Sequence, residues 1–192
     1  MTVVAMWCRH KGDNIIGIDG HLPWCIPSDS KRFYDVISER TVVCGRATYE
    51  SLPNLTLDGS RIFVMSSNSE YEVSNPKWHK VITKQKELDD LEEDVYVAGG
   101  AEIYKLFLTG KEKLKPHIIV DCVFEGELSS ADGKIVDISD SVALMEKKYR
   151  KITPDYCLDN VAASIWIKKG DFVEQSELKR IVKILEENAV LR

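Results

Sequence analysis

The densest group of residues able to do chemistry is Gly17-Ile18-Asp19-Gly20-His21-Leu22-Pro23-Trp24-Cys25-Ile26-Pro27-Ser28-Asp29. Its two glycines and two prolines specify an irregular loop rather than a strand. The loop still carries Leu22, Trp24 and two isoleucines, and an apolar loop of this kind usually lies over a pocket. It ends in Asp29 at a helix start, with Phe33 one turn on. A carboxylate there can face a pocket walled by Trp24, Ile26 and Phe33, and such walls discourage water and raise a carboxyl pKa. The plainer reading of Asp29 is a helix cap.

A second group is Cys44-Gly45-Arg46-Ala47-Thr48-Tyr49-Glu50-Ser51-Leu52-Pro53. An apolar strand runs into glycine, then into a helix start with arginine. Backbone N–H groups at that end, with Arg46, would suit a phosphate; the alternative is a plain strand-to-helix turn. A third group is Val95-Tyr96-Val97-Ala98-Gly99-Gly100-Ala101-Glu102-Ile103-Tyr104. Here a strand ends in a glycine pair that opens a helix, and glycines let a pyrophosphate approach the backbone closely. The pair is not a G-x-G-x-x-G fingerprint, so a standard dinucleotide fold is not indicated.

These groups need a scaffold, and the flanking sequence supplies one. Val- and Ile-rich runs bounded by Gly, Ser, Asp or Asn mark strands at 3–7, 41–44, 61–65, 80–82, 95–98, 117–124 and 162–168. Some, such as Val42-Val43-Cys44 and Ile118-Ile119-Val120, are continuously apolar, which favours strands covered on both faces. Helical spacing marks 29–39, 48–52, 84–91 and 101–108. The order implies an α/β domain with a mostly parallel sheet and an antiparallel finish. The acidic stretch 87–94 reads as a solvated helix face and loop. After Gly170-Asp171 the tail changes character. Ser176 can cap a helix running to Leu191, with Leu178, Ile181, Val182, Leu185 and Ala189 on one face. That divides the chain into a domain at 1–169 and an amphipathic helical extension at 170–192. The stripe is expected to pack on its own domain, with self-association through it as the alternative.

Composition narrows the function classes. The 192 residues are enough for one domain with a sizeable core, at 44% hydrophobic and 30% charged. Thirty-one acids against 26 bases leave a net charge of -5, which points away from nucleic acid as a main partner. No apolar run approaches the ~20 residues needed to span a bilayer. The first apolar run, 3–8, is short and followed at once by Arg9, His10 and Lys11, unlike a secretory signal, so a cytoplasmic location is expected. Five cysteines with no C-x-x-C pair and four scattered histidines suggest neither a disulfide framework nor a metal site.

In this order and spacing the three groups resemble the dihydrofolate reductase family, over roughly residues 2–168. The family pattern is G-x-x-G-x-L-P-W-x-x-P-x-D, then G-R-x-T-x-x-S, then G-G-x-x-x-Y before a helix. The resemblance implies a mostly parallel central sheet of about eight strands with flanking helices, here plus the extra C-terminal helix. It also implies reduction of 7,8-dihydrofolate with NADPH as cofactor and no metal. Asp29 then holds the pterin amino group and ring N–H, and Phe33 packs on the ring. Leu22 and Trp24 belong to a mobile loop closing over the site, and with Asp29 they form the implied catalytic set. Ala5, Ser51, Leu52, Ala98 and Tyr104 complete the implied substrate wall. The cofactor is implied to meet Ile16 and Gly17; Gly45, Arg46, Ala47 and Thr48; Ser66 and Ser67; and Gly99, Gly100, Ala101, Glu102, Ile103 and Tyr104. Arg46 takes its 2′-phosphate, and Gly99-Gly100 matches a pair joined by a cis peptide.

The sequence departs from the family at several points. An arginine that clamps the substrate's glutamate α-carboxylate normally follows L-P-G. Here the segment is Leu57-Asp58-Gly59-Ser60-Arg61, which puts Ser60 at that position. A one-residue shift of the loop at 55–59 would turn Arg61 inward, and Arg61 is taken as the candidate clamp. A threonine that bonds the catalytic carboxyl has no counterpart, with Val120 standing there. Ser30 replaces an apolar wall residue, and Glu102 adds a negative charge near the cofactor phosphates. The segment 9–13 and the tail are extra. Two other readings remain open: a same-fold reductase of another pterin or of a riboflavin-pathway pyrimidine, and a non-catalytic assembly protein.

Overall fold

The computed structural model describes residues 1–52, 59–129 and 133–192. The chain begins with β1 (Val3–His10), β2 (Ile15–Ile18), α1 (Pro27–Ile37), β3 (Thr41–Gly45), α2 (Arg46–Ser51), β4 (Arg61–Met65) and β5 (His79–Ile82). It continues through β6 (Val95–Gly99), α3 (Ala101–Thr109), β7 (Ile118–Phe124), β8 (Ile135–Asp137), α4 (Ser139–Lys148) and β9 (Tyr149–Lys151). It closes with β10 (Tyr156–Leu158), β11 (Val161–Lys168), α5 (Gln175–Glu186) and β12 (Val190–Leu191). Residues 85–88, expected in an α-helix, form a 3₁₀ turn instead.

Among the described residues, ten strands make one sheet in the order β12-β10-β11-β7-β1-β6-β3-β4-β5, with β9 alongside β11. Every pairing from β7 to β5 is parallel. Those of β9, β10, β11 and β12 are antiparallel. The strands outnumber the expected set because β9, β10 and β12 are only two or three residues long. β2 and β8 form a separate antiparallel pair.

The parallel strands are apolar on both faces because both faces are covered. Val4, Met6, Val42, Cys44, Ile62, Val64 and Tyr96 point to the face where Val36, Ile37, Ile181 and Leu185 pack. Val3, Ala5, Trp7, Val43, Phe63, Val95 and Val97 point the other way, onto Ile103 and Phe107 of α3 and Val142 and Met145 of α4. Each fully buried valine, isoleucine, methionine or phenylalanine among them stabilises the fold by about 1.5–3 kcal/mol. The site-bearing α1 therefore rides on one face and α3 on the other. Among the described residues, no helix is long and apolar enough to cross a membrane.

The tail is integrated into this architecture. Ile181 and Leu185 of α5 are fully buried in the core beneath α1. The helix stops at Glu186, short of the helical spacing read to residue 191. Asn188 then takes a left-handed conformation (φ 59°) and the chain turns to pair Leu191 with Tyr156. The apolar stripe of α5 packs within the chain.

Candidate active site

Pro27 opens α1, where its fixed φ suits the first turn. Ile26 occupies the cap position and no side chain caps the helix, so Asp29 lies inside the first turn and is not its cap. Its side chain is directed inward: Asp29 is 6% exposed and its Oδ1 has no hydrogen-bond partner within the protein. A buried acceptor left in that state is costly unless a ligand donates to it. Burial pushes the Asp29 carboxyl above its usual pKa, against opposing pulls from a hydrogen bond with Cys8 and the charge of Arg32. Burial and the neighbouring carboxylate push the Cys8 thiol well up.

Asp29 opens on a cavity of about 500 Å³. Met6, Trp7 and Cys8 of β1 line it, as do Asp29, Ser30, Phe33 and Tyr34, which helical spacing puts on one face of α1. Ala47, Thr48, Ser51 and Leu52 form the α2 side. Ala98, Gly100 and Tyr104 form the wall between β6 and α3, and Ile16, Gly17, Gly20, His21, Leu22 and Val136 close over the mouth. Leu22 is 54% exposed, an apolar side chain held at the rim.

The carboxyl ends of β3 and β6 meet at a glycine cradle beside this cavity. The Gly99–Gly100 peptide is cis, and Gly99 has φ +104°. A Cβ on Gly99 would lie 2.7 Å from the Tyr104 hydroxyl. On Gly45 it would lie 3.3 Å from Ile103, and on Gly100 3.4 Å from Thr48 Oγ1. At Gly99 the positive φ and the close contact both demand glycine, at Gly45 the Ile103 side chain would have to give slightly, and at Gly100 a Cβ would meet Thr48 at ordinary contact distance. The Tyr104 hydroxyl donates to the Met6 carbonyl at 2.6 Å, and burial drives its pKa far up, so it stays a donor. Strand carboxyl ends in open α/β sheets are where ligands bind.

The dihydrofolate reductase family model matches residues 2–130. A dihydrofolate reductase of Enterococcus faecium is 30% identical over 155 residues, spanning 76% of this chain and 90% of that one. This chain belongs to the dihydrofolate reductase family. A relative from Mycobacterium leprae, also a dihydrofolate reductase, is 32% identical over 110 residues, 56% of this chain and 67% of its own. The fold is similar to that of the dihydrofolate reductase from Enterococcus faecalis complexed with NADP(H) and RAB-propyl. The TM-score is 0.65 at 21% identity, over 88% of this chain and 96% of that one.

The cavity brings together Asp29, Leu22, Phe33, Ser51, Leu52, Ala98 and Tyr104 with Ile16, Gly17, Ala47, Thr48 and Gly100. Gly45 and Gly99 belong to the glycine cradle, and Ile103 packs against Gly45. Ala101 and Glu102 occupy the first turn of α3, with Glu102 exposed. Arg46, Ser66 and Ser67 lie off the wall, at or just past the carboxyl ends of β3 and β4, and Arg46 is exposed with Glu50 at 3.9 Å.

Four further residues named from the resemblance lie off this wall. Ala5 is one residue early: its side chain faces the α3 side, and Met6 offers the carbonyl at the site. Trp24 is not on this wall; its ring packs on Phe124 with centroids 4.9 Å apart and lines a neighbouring cavity. Arg61 pairs with Thr41 in register, which puts it on the Phe63 face, opposite α1. There it pairs with exposed Glu93 at 2.7 Å and stacks over Phe63. Most of the loop shift that would have turned it inward falls at residues 53–58, outside the described residues. Ser60 is fully buried, donating to the Ile37 carbonyl and accepting from the Glu39 N–H. Finally, Val120 is core, and the place beside the carboxyl falls to Cys8 with Cys122 opposite it in register. Cys8, Met6, Trp7, Tyr34 and Val136 are site residues that motif matching missed; the alternation of β1 with Asp29 as anchor was the available signal.

Proposed function

We propose that this protein reduces 7,8-dihydrofolate to 5,6,7,8-tetrahydrofolate with NADPH. Membership of the dihydrofolate reductase family supports this, and the observation that carries it is the buried Asp29 with its unpartnered Oδ1 facing the cavity. A pterin presents an amino group and a ring N–H side by side, the donors a lone carboxylate can accept from. Asp29 orients and polarises the ring, and Phe33 and Leu52 flank it. The residues present also fit the cofactor: Gly99, where φ and contact exclude any side chain, lies with Gly45 and Gly100 in an open backbone surface that Ile16, Ala47 and Thr48 continue. NADPH, when bound, supplies the hydride that C6 of the substrate accepts. The loop at 17–22 covers the reacting atoms and admits the water that protonates N5. A cytoplasmic location goes with this reading, supported by five free cysteines. Loss of NADPH absorbance on adding dihydrofolate tests it, and an inert, folded protein would sink it.

One observation favours a second reading, a same-fold reductase of a pterin without a glutamate tail. Among the described residues no Lys or Arg lines the cavity, and residues 53–58 contain none in sequence. Comparing turnover of dihydrofolate with that of a small dihydropterin separates the two.

A further inference from the structure

Helices α1 and α5 cap one another. Arg180 of α5 donates from Nη1 to the Asp35 carbonyl at 3.2 Å and from Nη2 to the Val36 carbonyl at 2.8 Å, both in the last turn of α1. In return, Arg32 of α1 donates from Nη2 to the Leu185 carbonyl at 3.0 Å, in the last turn of α5. Its Nη1 reaches the Tyr156 carbonyl of β10 at 3.3 Å. The last turn of α1 has no basic side chain of its own, so the cation its carbonyl end favours comes from α5.

Arg180 also ties in the sheet. Its Nη2 lies 3.1 Å from the Tyr96 hydroxyl and 2.9 Å from Glu177 Oε1, and Tyr96 donates to the same Glu177 oxygen. Glu177 is 6% exposed; burial pushes its pKa up, but the bonds from Arg180 and Tyr96 outweigh this and hold it low. Tyr96 stands on β6 two residues before Ala98 of the cavity wall. With Glu177 buried and Arg180 a quarter exposed, a well-partnered ion pair of this kind adds little net stability, and fixing a geometry is its better-attested use.

We propose that Arg180 is a positioning residue: with Glu177, Tyr96 and Arg32 it holds α1 against β6, and thereby Asp29 and Phe33 against the wall at residues 98–100. This rests on the reductase reading above. Hydride transfer needs donor and acceptor about 3–3.5 Å apart, and a displacement near 1 Å costs on the order of 10²-fold. The two sides of the cavity are set by α1 and by β6, so a brace between those elements sets that separation.

Hydrogen exchange of the free protein and single-turnover NADPH oxidation test the brace together, in the full chain. Arg180→Ala should speed exchange of the α1 amides while β1 and β7 stay protected. It should slow single turnover at saturating dihydrofolate by about 10-fold or more, with NADPH affinity altered less than about twofold. Arg180→Lys keeps the charge without the planar fork and should fall between, which also serves if the alanine variant does not fold. Exposed Lys179→Ala should match wild type. A lower Tm with unchanged α1 exchange and unchanged single turnover would overturn the proposal, as would an equal loss of NADPH affinity. If wild type left NADPH unoxidised, the reductase reading would fall, and α1 exchange would still decide whether Arg180 braces the helix.

Discussion

Burial raises the pKa of both the Cys8 thiol on β1 and the Asp29 carboxyl on α1, and the interaction between them raises the thiol further while it pulls the carboxyl part of the way back down. Arg32 on the same helix and Cys122 on β7 are the other titratable groups coupled to the carboxyl. Cys8→Ala removes a bond that favours the ionised form, so the Asp29 pKa should rise further. The pH profile of kcat/KM should move to higher pH, while Cys8→Ser should keep it near wild type. An unmoved profile in the alanine variant would show that Asp29 does not set it.

Asp29→Asn places an amide donor where the ligand presents donors. We expect kcat/KM to fall on the order of 10²-fold or more at neutral pH. Stability should change the other way. The folded-state pKa of Asp29 is raised, so the folded protein loses stability relative to the unfolded chain as pH climbs from the ordinary carboxylate range to the folded pKa. Above that the penalty is constant. The Asn variant escapes it, so its Tm should exceed wild type at neutral pH and the gap should close in acid. Scanning calorimetry across pH checks the sign.

Gly99→Ala should disable the cradle. The position combines φ +104° with a Cβ site 2.7 Å from one Tyr104 atom and 2.8 Å from another. Tyr104→Phe removes the oxygen only, so the double variant should recover little. Isothermal titration with NADPH reads the outcome, and wild-type affinity in Gly99→Ala would mean the cradle is not the cofactor surface.

Arg61→Ala should leave the KM for dihydrofolate within about threefold of wild type. Its pair with Glu93 is exposed on the far face of the sheet, and such pairs contribute about 0–1 kcal/mol. Dihydropteroate should respond alike. A rise in KM for dihydrofolate alone would return Arg61 to the site.

Arg46→Ala should weaken NADPH more than NADH. An exposed guanidinium on a 2′-phosphate is worth about 1 kcal/mol after solvent screening, roughly a fivefold change. Equal losses for both cofactors would place Arg46 elsewhere.

The parallel half of the fold was legible because Val42-Val43-Cys44 and Ile118-Ile119-Val120 are apolar on both faces, a pattern that leaves little else to be. Asp29 and the glycine pair were legible because each needs a particular residue at a particular place. The register-dependent details were not: Ala5 against Met6, and Ser60 against Arg61, differ by one residue, and on a strand one residue reverses the face. Trp24 was misplaced because its packing partner, Phe124, is 100 positions away in sequence. Strands β2, β8 and β9 and helix α4 escaped because they are short or weakly patterned and owe their form to what they pack on. The partnership of Arg32 with Leu185 spans 153 residues, and no local pattern announces it.

The same separation orders events during synthesis. Asp35 is made 145 residues before Arg180. At ~5–20 residues per second the ribosome takes roughly 7–30 s to cover that distance. Throughout that interval the segment carrying Asp29 lacks its distal cap, and β10 has no partner on its outer edge until Val190 and Leu191 arrive. The nascent polypeptide therefore makes its cavity-lining elements first and locks them last, so premature termination between residues 105 and 179 yields a product with every motif of the family and an unsecured α1.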